Sequence, residues 1–194
     1  MKASQHNLEQ YLKSVIDDSE LEHQLPAILQ CFTHLRLQKN DFFVEEGNVC
    51  KYFCYINYGV LQHAITVQGE EKTTYLGLKN SSTSALNSFM HSVPSRKNIK
   101  AISDCDLWII KSEDFATLLK NNRAFKAFYY KLIEKQIYRI DDYRIDLLTL
   151  SPEERYHKLL ENEPNLLQEV PLHYLASFLG ISNRHMSRIR KNTK

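Results

Sequence analysis

The stretch from Leu172 to Lys191 admits few folds. Leu175 and Leu179 lie four residues apart and share one face of a helix, while Met186 and Ile189, three apart, share one face of a second. Between the two stripes stands Gly180, the residue type best able to take the left-handed backbone that closes a helix. Ile181 follows it as an apolar plug between the helices. Ser182 is placed to cap the second helix through its hydroxyl, and Ala176 is small where the two helices must approach closely. These positions agree on a helix-turn-helix, with an ordinary helical hairpin inside a core as the other arrangement that such spacing allows.

Charge separates those two readings. Between Asn183 and Lys194 the chain carries Arg184, Arg188, Arg190, Lys191 and Lys194 and no acid, whereas a merely solvated helix face mixes both signs. Asn183, Arg184, Ser187 and Arg188 fall on the exposed N-terminal face of the second helix, away from Met186 and Ile189, and Ser182 precedes them as the cap. Arginine can make a bidentate contact to guanine and asparagine to adenine, so this face is chemically able to read bases. Arg190, Lys191 and Lys194 suit phosphate contacts. Double-stranded DNA is therefore the first partner to consider, and a solvated basic tail is the plainer alternative.

The rest of the composition bounds what surrounds this motif. With 194 residues, 43% of them hydrophobic, the chain suffices for one large domain or a medium and a small one. No apolar run approaches the roughly 18 residues of a membrane span, and the N-terminus lacks a signal-peptide core, so a cytoplasmic location without membrane attachment is expected. A net charge of +2 says little by itself, because nucleic-acid binding is marked by a local patch. Cys31, Cys50, Cys54 and Cys105 show neither a paired-cysteine motif nor a zinc spacing, and free buried thiols are expected, with no metal and no cofactor.

Along the chain, residues 4–32 carry apolar positions at helical spacing and predict two short helices broken near Pro26. From Thr33 the period changes: Leu35 and Leu37, Phe42 to Val44, Tyr52 to Ile56, Val60 to Val67 and Thr73 to Leu78 read as strands. Gly47, Gly59, Gly69 and Gly77 punctuate them at a spacing that suits hairpins of a β-sandwich or barrel. Residues 80–88 read as a loop leading to a short helix, followed by strands at Ile99 to Ser103 and Leu107 to Ile110. Ser112 is expected to cap the next helix. A long helix follows over 124–148, where Phe125, Tyr129, Ile133, Ile137, Ile140, Arg144 and Leu147 keep three- and four-residue spacing without glycine or proline. Packing on its own sheet is one use of such a helix, and pairing with a second subunit is the preferred one. Ser151-Pro-Glu-Glu restarts a helix, which places a domain boundary there.

This order of parts resembles the Crp/Fnr superfamily of bacterial transcription regulators over nearly the whole chain. The likeness is carried by Glu154-Arg155-Tyr156 with Leu159-Leu160, by Val170-Pro171, and by Leu175 to Ser182 with Ser187 to Lys191, in the form common in Bacteroidetes. It implies an α+β chain: an N-terminal antiparallel β-roll (jelly-roll) sensor domain over 1–120 with flanking helices, a connecting and dimerisation helix over 121–149, and a small helical DNA-binding domain over 150–194. It implies a homodimer on a palindromic site, RNA polymerase as a further partner, and Asn183, Arg184 and Arg188 as base contacts.

Two departures qualify the likeness. The family's cyclic-nucleotide cassette has a Gly-Glu pair that holds the ribose and an Arg-Ser pair that holds the cyclic phosphate. Here Ser84 and Ala85 stand in for the first, and Ser95-Arg96 has the second in reversed order. Arg96 alone could hold an anion. Cyclic AMP is therefore not the expected effector, whose identity is left open. No cysteine precedes Cys31, which disfavours the iron-sulfur sensor of the redox branch. Only Asn192, Thr193 and Lys194 follow Lys191, so DNA binding is expected to rely on the helix and on dimerisation, without a wing. A cupin-type metal enzyme is disfavoured because His63 has no histidine two residues away. A ligand-binding or protein-interaction module with a silent helix-turn-helix is the alternative that stays open.

Overall fold

A computed structural model describes residues 2–192, and side chains over 5–191. Two four-stranded antiparallel sheets face each other. The strands are β1 (Thr33–Leu37), β2 (Phe42–Val44), β3 (Tyr52–Tyr58), β4 (Leu61–Val67), β5 (Glu70–Gly77), β6 (Ser81–Thr83), β7 (Asn98–Ala101) and β8 (Cys105–Lys111). One sheet runs β1-β8-β3-β6 and the other β2-β7-β4-β5. The expected β-roll is thus present.

The central strands β3 and β8 are buried on both sides, which explains why they read as unbroken apolar runs instead of alternating ones. Their inner face meets the second sheet. Their outer face is covered by α1 (Lys2–Ile16), α4 (Ser112–Asn121) and the first turns of α5 (Arg123–Thr149). Aromatic rings fill that junction. Tyr11 lies 4.9 Å from Tyr55 and 5.9 Å from Phe128, and Phe115 lies 4.9 Å from Phe125 and 5.3 Å from Tyr129. Asn122 turns the chain between α4 and α5 and caps the latter, its Oδ1 accepting from the Phe125 amide at 2.9 Å.

Four expectations need correction. The N-terminal helices break at Asp17–Asp18, where Asp17 takes φ +45° and Asp18 caps a 3₁₀ turn at Ser19–Gln24; Pro26 sits in the first turn of α2 (Leu25–Gln30), where its missing N–H costs nothing. The polar stretch read as a loop contains β6, an edge strand whose Thr83, Ser82 and Ser81 pair with Cys54, Tyr55 and Ile56. Strand β8 runs straight into α4, so Lys111 occupies the cap position and no side chain caps that helix; Ser112 is already its first helical residue. Gly77 lies inside β5 rather than in a turn, and a Cβ there would meet Ile56 Cδ1 at 2.8 Å.

Beyond α5 come α6 (Pro152–Asn162), α7 (Pro164–Glu169), α8 (Leu172–Leu179) and α9 (Asn183–Asn192). Ser151 caps α6 in a reciprocal box, its hydroxyl accepting from the Glu154 amide at 3.2 Å while Glu154 accepts from the Ser151 amide at 2.7 Å. These helices share one core with the roll: Tyr156, Leu166, Leu175, Leu179, Met186 and Ile189 pack with Val60, Leu76 and Ile102.

Gly59 gives the fold a sharp test. It holds φ +90° at the turn from β3 into β4, and a Cβ would sit 2.3 Å from the Asp104 carbonyl oxygen and 2.7 Å from Cys105 Sγ. Gly59→Ala is expected to cost at least about 2–3 kcal/mol, from the left-handed backbone and the clash together. Urea unfolding of the two proteins measures the difference.

Candidate nucleic-acid interface and sensor pocket

The turn between α8 and α9 closes as its sequence requires. Gly180 takes φ +71°, and the Ile181 amide reaches back to the Ala176 carbonyl at 3.0 Å, the long bond of a left-handed helix end. Ser182 then caps α9 by accepting from the His185 amide at 3.2 Å. Met186 and Ile189 are buried on the inner face, and Asn183, Arg184, Ser187, Arg188, Arg190 and Lys191 are exposed on the outer one. Lys194 lies outside the described residues. The Ser187 hydroxyl donates to the Asn183 carbonyl at 2.9 Å, which leaves its oxygen free only to accept.

Three side chains to which the sequence assigned no such bonds hold this unit in place. Ser177 bridges α8 to the edge strand β5: its hydroxyl accepts from the Thr73 amide at 2.9 Å and donates to the Glu71 carbonyl at 3.3 Å. Tyr143 of α5 donates to the Phe178 carbonyl at 2.8 Å and stacks on its ring at 5.4 Å. Arg155 of α6 donates to the Leu179 carbonyl at 3.1 Å. The carbonyls at the C-terminal end of α8 would otherwise lack partners, so these bonds fix the angle at which α9 is presented. On the other side, His185 Nε2 lies 2.9 Å from Glu153 of α6, whose carboxyl is held below the usual range chiefly by that contact, with Arg188 adding to it. Glu153 is thus the acid that faces the basic helix, a partner that local sequence could not reveal because 32 residues separate the two.

The long helix α5 has two unlike faces. One looks inward, where Gln136 reaches the Tyr75 hydroxyl at 3.5 Å, Arg139 pairs with Glu163, and Asp146 pairs with Lys158 at 2.7 Å. The other carries Tyr130, Ile133, Ile137, Ile140, Arg144 and Leu147 at alternating three- and four-residue spacing. Tyr130, Ile137 and Ile140 are 58%, 58% and 59% exposed on it. Such a seam is the a/d pattern of a coiled coil.

The residues that the sequence likeness set at a ligand pocket, Ser84, Ala85, Ser95 and Arg96, are engaged elsewhere or exposed. Ser84 donates to the Tyr52 carbonyl at 2.9 Å, Ala85 is buried, and Ser95 donates to the Lys97 carbonyl at 2.6 Å. Arg96 is exposed. The cation that turns inward is the neighbouring Lys97, whose partial burial lowers its pKa, and it lies close enough to act on His63. His63 is buried between Thr83, 2.9 Å from Oγ1, and the Tyr75 ring, 5.1 Å away. His34, also in the sheets, pairs with Asp106 instead. Cys50, Cys54 and Cys105 are buried free thiols, and burial pushes Cys105 up to about 11. Among the described residues no group of three His, Cys, Asp or Glu is placed to hold a metal, and no helix is long and apolar enough to cross a membrane.

Residues 34–122 match the family of the cyclic nucleotide-binding domain. No curated protein matches the chain. Among solved structures, FixK2 of Bradyrhizobium japonicum superposes with a TM-score of 0.72 at 14% identity, covering 83% of this chain and 83% of that one. The c-di-GMP-responsive global regulator CLP of Xanthomonas campestris gives 0.67 at 16% identity, covering 88% and 90%. A Crp/Fnr-family regulator of Eubacterium rectale gives 0.67 at 18% identity, covering 88% and 82%. The chain therefore has the fold of the Crp/Fnr transcription regulators.

Buried His63 is expected to make the roll sensitive to acid. Burial, helped by the Lys97 charge, pushes it from the ordinary 6.5 down to about 3, so it is neutral in the fold. The unfolded chain then binds more protons between those values, and the stability that neutral His63 allows is complete above pH ~6.5 and falls as pH drops toward 3. Chemical denaturation from pH 7 to 4 is expected to lose less stability in His63→Gln than in the parent. Equal losses would show that His63 does not cause the acid sensitivity.

Proposed function

We propose that the protein is a homodimeric, non-catalytic transcription regulator that reads a palindromic DNA site in the cytoplasm, with 1–120 as sensor, 121–149 as dimer helix and 150–194 as reader. The observation that carries this reading is the outer face of α9. It is exposed along its length and cationic, it belongs to the second helix of a well-formed helix-turn-helix, and Glu153 is the acid paired beside it. Asn183, Arg184 and Arg188 are assigned to base edges, Ser182 and Ser187 to the entrance of the groove, and Arg190 and Lys191 to phosphates.

The exposed seam on α5 supplies the second half of the reading. A helix that leaves Tyr130, Ile137, Ile140 and Leu148 in water, the last at 87%, while its opposite face is occupied by its own chain, is suited to a second copy of itself. Two recognition helices related by a two-fold axis then meet successive major grooves. The roll is read as a degenerate pocket that does not take cyclic AMP in the usual way, because Ser84 and Ser95 satisfy backbone groups and no carboxylate replaces the ribose-binding acid. RNA polymerase is a further partner by analogy of fold alone.

Two measurements test this. DNA selected from the organism's own genomic fragments should shift in a gel with the parent protein, and Arg184→Ala with Arg188→Ala should lose specific binding by at least about a hundredfold, since a good base contact is worth roughly 1–3 kcal/mol. Removing Arg190 should instead weaken all sequences alike and reduce the salt slope by about 0.9 per lost phosphate contact. An unchanged shift in the double variant would favour a ligand-binding module with a silent helix-turn-helix.

Sedimentation tests the seam. Ile137→Glu combined with Ile140→Glu is expected to turn a dimer into the 22.8 kDa monomer without loss of helicity. A dimer that persists would place the interface elsewhere.

A further inference from the structure

A cavity of about 240 Å³ lies where three parts of the molecule meet: β5 of the roll, the inner face of α5, and the helices α6 and α8. It is separate from the interior of the roll. Its lining includes the stacked Tyr143 and Phe178 rings, Leu159 and Tyr75. It also carries charge, and most of that charge is already balanced. Arg139 pairs with Glu163, and Lys158 with Asp146 at 2.7 Å. Asp142, at the edge, is exposed to solvent.

Arg155 is different. It lines the cavity, one of its guanidinium nitrogens donates to the Leu179 carbonyl at 3.1 Å, and among the described residues no carboxylate pairs with it. Its Nε is buried without an acceptor. Its guanidinium spends a hydrogen bond on a neutral carbonyl and keeps its charge for another partner, and a guanidinium edge suits a carboxylate or phosphate. The volume falls just below the roughly 300–1,000 Å³ of ordinary ligand pockets, which suits an occupant about the size of a ring with one substituent.

We propose that this cavity binds a small aromatic molecule bearing one anionic group, the ring lying against Tyr143 and Phe178 and the anion accepting from the Arg155 guanidinium. The occupant touches the roll, the long helix and the reader helices together. Binding would therefore stiffen the joint that Ser177, Tyr143 and Arg155 already hold. The site stands independently of the DNA-reading proposal; only its regulatory consequence rests on it.

Calorimetry on the full chain without DNA keeps the two apart. Benzoate and phenyl phosphate are the probes, and benzyl alcohol is the neutral control. Saturable binding of at least one anion is expected, weaker by at least about tenfold for the alcohol and for Arg155→Gln, as loss of a charge-assisted hydrogen bond implies. Leu159→Phe, which fills the cavity and leaves Arg155 in place, should also abolish it. If Arg155→Gln fails to fold, the filled variant decides the matter. No saturable binding by either anion, equal affinity for the alcohol, or full binding by a folded Leu159→Phe protein would each overturn the proposal.

Discussion

Everything in this molecule hangs on the long helix α5 and on its having two faces of opposite character. Its first turns are locked into the roll by Phe125 and Phe128, both buried among aromatic rings. From Leu132 onward the inner face turns polar and is tied by Gln136, Arg139, Tyr143 and Asp146 to the hairpin and to the C-terminal helices. The outer face stays apolar and uncovered. A helix fixed at one end in a rigid roll transmits that rigidity along its length, so the C-terminal helices inherit a defined position relative to the sheet.

The second constraint is the shared core. Val60, Leu76 and Ile102 belong to strands or turns of the roll, yet they pack with Tyr156, Leu175, Leu179 and Met186 of the C-terminal helices. Burying those side chains against the C-terminal helices makes the joint more than a tether, and the Ser177 bridge to the β5 edge adds direction to it. That bridge also satisfies backbone groups on an edge strand, which would otherwise invite pairing with another chain. In the account proposed above, the angle between roll and reader is the quantity that regulation would change.

Much of this was legible from the sequence, and the boundary has a physical reason. The helix-turn-helix could be read because its determinants are local: Gly180, Ser182 and the two apolar stripes lie within fifteen residues and act through helix period and capping. The box at Ser151 and Glu154 is more local still. By contrast β6 was hidden, since Ser81 to Thr83 have little strand preference of their own and are extended only because β3 offers a ladder. The break after Asp17 was missed because proline at a helix start looks like a breaker and a left-handed aspartate does not. Ser177 with Thr73 lies beyond any window, as the two are 104 residues apart. The pocket residues fall between these cases: the sequence showed that Ser84, Ala85, Ser95 and Arg96 lack the usual chemistry, but not that the serines would be spent on backbone carbonyls or that Lys97 would turn inward instead.

The central claim is that two readers are held a fixed distance apart by paired α5 helices. Hydroxyl-radical footprinting on a selected genomic fragment tests it most directly. The account predicts two protected stretches on one face of the duplex, with centres about 10–10.5 base pairs apart, the spacing of successive major grooves. One short protected stretch, or protection with no fixed spacing, would contradict it.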